Sequence, residues 1–104
     1  MRLSYLPRAL GAHALSIFLM SQKQTEATNY IQNLLASRRV SVTPYTMKEG
    51  DREWMIFEYN RKQIGIDITA GVWIRESAHH SWVCLAAPCN VSGALQAVEF
   101  LTQD

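Results

Sequence analysis

The chain has 104 residues, a net charge of +1 and 18% charged against 48% hydrophobic residues. One modest domain fits that length, and the composition lies far from that of a disordered chain. Ten Lys and Arg against nine acids exclude binding that relies on a large basic excess, so nucleic acid is not an expected partner.

Residues 1–20 differ from the remainder. Arg2 and Arg8 are their only charges, and Ala9 to Met20 is a short apolar run broken by Gly11, His13 and Ser16. A basic start followed by such a run has the form of a signal peptide, which makes export the alternative to an expected cytoplasmic location. Ala12-His13-Ala14 interrupts the run instead of following it, so the cleavage site is poor. A membrane span takes about 20 apolar residues, and this segment is too short for one. Met20 is a second candidate start, with the preceding residues as a leader. The favoured reading is a packed helix over Pro7 to Leu19, with the proline in its first turn.

Residues 21–104 read as a single α+β domain. Ser21-Gln22-Lys23-Gln24 has the spacing of a capping box and predicts a helix start. Ala27, Tyr30, Ile31, Leu34 and Leu35 then draw an apolar stripe that ends at Arg38 and Arg39. An antiparallel meander of three to five strands follows. Its segments are Val40 to Met47 with Pro44 inside, Glu53 to Tyr59, Gln63 to Thr69, Val72 to Arg75 and Trp82 to Ala86. Gly71 is the expected source of positive φ in the turn after Thr69. Asn90 is the expected N-cap of a last helix, Val91 to Gln103, whose stripe is Val91, Ala94, Leu95, Val98 and Leu101.

The meander is apolar on both faces. In Glu53 to Tyr59, Trp54 and Ile56 point one way and Met55, Phe57 and Tyr59 the other, by the period-2 rule. Both helices are expected on one face, so the other calls for the N-terminal segment, a second subunit or a ligand. Trp54, Trp73, Trp82, Phe57 and Tyr59 are the residues assigned to that contact. The expected function is a small binding or interaction module, self-associating as a homodimer, with a small apolar ligand or another protein as the alternative occupant.

An enzyme is the competing class. Cys89 precedes a helix whose dipole would lower its thiol pKa, and His79 or His80 could serve as its base. Asp67, flanked by Ile66 and Ile68, could be a base or ligand. No third orienting group is identifiable. Adjacent histidines on an extended chain point apart, and neither C-x-x-C nor H-x-x-x-H is present, so no metal and no cofactor is expected. Cys84, mid-strand among apolar neighbours, reads as a buried thiol. A Cys84 to Cys89 disulfide would need the chain to turn back at Ala87-Pro88.

A nucleic-acid-associated protein is the remaining alternative. The helix, strands, helix order resembles that of double-stranded-RNA-binding domains in topology alone. Such domains read phosphates from a basic cluster at the start of the last helix, whereas Val91 to Gln103 holds no Lys or Arg.

Overall fold

The structure, a computed structural model, describes residues 11–103. A helix, a five-stranded antiparallel meander and a second helix make an α+β fold. The elements are α1 (Gly11–Ser37), β1 (Tyr45–Glu49), β2 (Arg52–Tyr59), β3 (Lys62–Ile66), β4 (Val72–Arg75), β5 (Val83–Ala86) and α2 (Val91–Thr102). Each strand pairs with its sequence neighbour, in the order β1-β2-β3-β4-β5.

The predicted helix start at Ser21 is not observed. The helix runs from Gly11 without a break, because no Gly or Pro interrupts the chain between Ala12 and Ser37. The part of the expected Pro7 to Leu19 helix before Gly11 lies outside the described residues. Gln24, assigned to a cap by its spacing, is instead buried, and its Nε2 donates to the backbone oxygens of Glu53 at 3.2 Å and Ile66 at 3.0 Å. This amide ties α1 to the ends of β2 and β3.

At its other end α1 closes in a Schellman arrangement. Arg39 N donates to Ala36 O at 2.9 Å and Val40 N to Leu35 O at 3.0 Å, with Arg39 at φ 62°. The arginines therefore stand past the last helical turn. Val40 is held by this cap, and Val40 and Val42 pack on the core as a connector. The first strand consequently begins at Tyr45 and not at Val40, just past Pro44, which has no N–H to give a ladder.

The β2–β3 hairpin turns through Asn60 and Arg61, both at positive φ (51° and 70°), between the paired residues Tyr59 and Lys62. These are the values of a type I′ turn. β3 ends at Ile66, earlier than the alternating pattern suggested, because the Asp67 side chain accepts hydrogen bonds from the chain that follows it. The left-handed residue of this turn is Ala70, φ 68°, and not Gly71.

Both helices lie on the sheet face that carries Phe57, Ile64, Ile66 and Val72, all fully buried. α1 contributes Ala27, Ile31 and Leu35, and α2 contributes Ala94, Ala97, Val98 and Leu101. Asn90 caps α2 as expected, its Oδ1 accepting from Gly93 N at 2.7 Å. Val91 and Leu95, predicted on the buried stripe, are exposed. Gly93 and Ala97 take the inward positions instead: a Cβ on Gly93 would stand 2.5 Å from that of Ala86, so α2 approaches β5 too closely for larger side chains. At the far end Lys62 Nζ donates to Phe100 O at 3.2 Å and Gln103 O at 2.6 Å. A cation thus satisfies the last carbonyls of α2 and opposes the helix dipole.

Candidate functional site: the tryptophan face

Among the described residues the opposite face of the sheet takes no part in the helix-packed core, and it gathers all three tryptophans. Trp54 of β2 stacks on Trp82, with centroids 5.1 Å apart and planes at 6°. It meets Trp73 of β4 edge-on, at 5.9 Å and 77°. Such offset and T-shaped contacts suit the ring quadrupoles and add about 0.5–1.5 kcal/mol per pair beyond area burial.

Gly65 makes this packing possible. It sits on β3 between Ile56 and Trp73 in the register, and a Cβ there would lie 2.7 Å from Trp82 Cη2 and 3.0 Å from Trp54 Cε3. The indole of Trp82 therefore rests on bare backbone. Trp54 is 4% exposed and Ile56 0%, whereas Trp73 and Trp82 are half-buried and Cys84 is exposed. The sequence called for the N-terminal segment, a second subunit or a ligand to cover this face; among the described residues, Trp54 is stacked under Trp82 and flanked edge-on by Trp73.

A polar network borders the indoles. Arg75, 7% exposed, has its guanidinium carbon 4.0 Å from the Trp82 ring centroid, and its Nε donates to Gln63 Oε1 at 2.6 Å. Gln63 Nε2 donates to Glu58 at 2.7 Å, and the Tyr45 hydroxyl donates to the same Glu58 oxygen at 3.1 Å. Partial burial first, then the Glu58 hydrogen bond and charge, raises the Tyr45 phenol above its ordinary pKa. Glu49 accepts from Trp82 Nε1 at 3.2 Å and lies 3.9 Å from Arg75 Nη1. Trp54, Trp82 and Arg75 thus form a layered column with acids at its rim, in which a cation over an indole contributes about 0.5–2 kcal/mol.

Trp54 Nε1 is buried and has no hydrogen-bond partner, the one such side-chain atom among the described residues. Trp73 Nε1, by contrast, donates to Asp67 Oδ2 at 2.8 Å. Asp67 Oδ1 accepts from Thr69 N, Thr69 Oγ1 and Gly71 N at 2.7–2.9 Å. Burial alone would raise the Asp67 carboxyl, yet the bonds from Thr69, Gly71 and Trp73 outweigh it and hold the pKa below the usual aspartate value. A carboxylate so occupied orients Trp73 and shapes a turn; it is not poised to take a proton.

The other residues assigned to chemistry or contact are scattered. Phe57 belongs to the helix-facing core at 0% exposure, and Tyr59 alternates onto that same side at the end of β2, so neither joins the tryptophans. His79 and His80 are exposed on the β4–β5 loop, where His80 Nδ1 pairs with Ser77 Oγ at 2.8 Å. No hydrogen bond joins either histidine to Cys89 or Asp67. Cys89 lines a separate groove of about 350 Å³ with Tyr30, Ala70 and Val91, between α1 and the start of α2. Burial pushes its thiol pKa up, against the lowering expected from the helix dipole. Cys84 and Cys89 are both free, and Cys84 is exposed because β5 is the edge strand. Among the described residues no three His, Cys, Asp or Glu side chains converge as a metal site. None of the described helices is long and apolar enough to cross a membrane.

Residue patterning located Trp54, Trp73 and Trp82 but missed Gly65, Gln63 and Arg75. The signal for Gly65 was present in Ile64-Gly65-Ile66, since a glycine inside a strand marks the close approach of another group. Arg75 and Gln63 carried none, because their pairing depends on β3–β4 register. Compared with known proteins, the chain matches no family model, no curated protein and no solved structure.

Proposed function

We propose that the protein is a small interaction module, without chemistry of its own, that self-associates through the tryptophan face. One observation carries this reading: the sheet face opposite the described helix-packed core presents Trp73, Trp82, Tyr45 and Met47 partly exposed around the buried Trp54, with Arg75 stacked among them. An antiparallel sheet with helices on one side normally turns polar residues to the other. Trp, Tyr, Met and Arg are the types enriched at the centres of protein interfaces, and Trp, Tyr and Arg dominate binding hot spots.

A second copy is the occupant this reading favours, because the face carries both signs of charge. Glu49 lies beside Arg75 and faces Arg52 across the β1–β2 pairing, and Glu58 is linked to Arg75 through Gln63. A two-fold axis can set each sign against its opposite in an isologous contact. Strands about 4.8 Å apart make the face roughly 20 Å square, on the order of 400 Å² in projection. Even with side-chain relief this falls near the lower limit of stable interfaces, so association is expected in the micromolar range or weaker. The two unpaired thiols support a cytoplasmic setting.

Sedimentation equilibrium tests the reading, with Cys84→Lys placing a charge on the exposed part of the tryptophan face and Leu95→Lys placing one on the helical side. A concentration-dependent dimer lost in the first variant and kept in the second is the expected result. A chain that stays monomeric at millimolar concentration, or a dimer indifferent to Cys84→Lys, overturns it.

A further inference from the structure

We draw no further inference here: the strongest candidate, the groove of about 350 Å³ that Tyr30, Ala70, Cys89 and Val91 line between α1 and the start of α2, rests on a helix N-terminus and a single cysteine, and nothing in the structure shows what fills it.

Discussion

The two faces of the sheet are built from the same residue class and held by different means. On the helical side, Phe57, Ile64, Ile66 and Val72 are buried under separate elements, so their cover comes from residues distant in sequence such as Ile31 and Leu101. On the other side, Trp54 and Ile56 are also buried, and Trp54 is stacked under Trp82, which reaches over Gly65 from just before β5. The first is a core in the ordinary sense, closed by volume. The second is a single layer of large rings whose outer members remain half in water. A side chain can thus be fully buried on a face that still offers contact area to another molecule.

Adjacent residues of β3 give the strongest test of that difference. Ile64→Ala opens a cavity in the helical core and is expected to cost about 2–5 kcal/mol. Gly65→Ala, one residue on and facing the tryptophans, must push the Trp82 and Trp54 rings apart and is expected to cost about 1–3 kcal/mol. Near-ultraviolet circular dichroism should separate the two, because only Gly65→Ala changes the coupling of the stacked indoles. A Gly65→Ala chain with unaltered spectrum and stability would mean that the stack is not formed.

The next effect is acid sensitivity at the junction of the faces. Asp67 has a lowered pKa in the folded chain, so its contribution is present above the unfolded value of about 3.9 and is lost as pH falls through the folded value. Stability should therefore decline below about pH 4. Asp67→Asn presents an amide to either the Trp73 N–H or the turn amides and is expected to cost about 1–3 kcal/mol near neutral pH. It should also flatten the acid limb of the stability profile. Chemical denaturation from pH 2.5 to 7 measures both, and an unchanged acid limb would show that Asp67 is not its source.

The smallest effect has the opposite sign. Arg61 holds φ 70° in the β2–β3 turn, where a side chain is strained and glycine is not. Arg61→Gly gives the turn Asn-Gly and should stabilise the chain by about 0.5–1 kcal/mol, read as a higher urea midpoint. Because the turn lies on neither face, this change should leave self-association untouched.

The meander and the last helix were legible in the sequence because their signals are local. Alternation in Glu53 to Tyr59 and the Asn90 cap each act within a few residues, and both are observed. The boundaries that failed were decided at longer range or by competing local bonds. Gln24 fits a cap by spacing but is drawn into the sheet by Glu53 and Ile66, and Val40 reads as strand but completes the helix cap at Leu35. Of the candidate site, the three tryptophans were legible, whereas Phe57 and Tyr59 were grouped with them although alternation alone sets them on the other side.

By itself, then, the sequence determined the order of elements and the presence of apolar residues on both sides of the sheet, since period and capping are properties of neighbouring residues. Tertiary structure alone decided how the second side is closed. Stacking of Trp82 on Trp54, the seat of Arg75 over it and the unpartnered Trp54 N–H all depend on strand register bringing residues 54, 65, 75 and 82 together. No spacing along the chain encodes that meeting, because the distances between these residues are fixed by the pleat and the twist of paired strands.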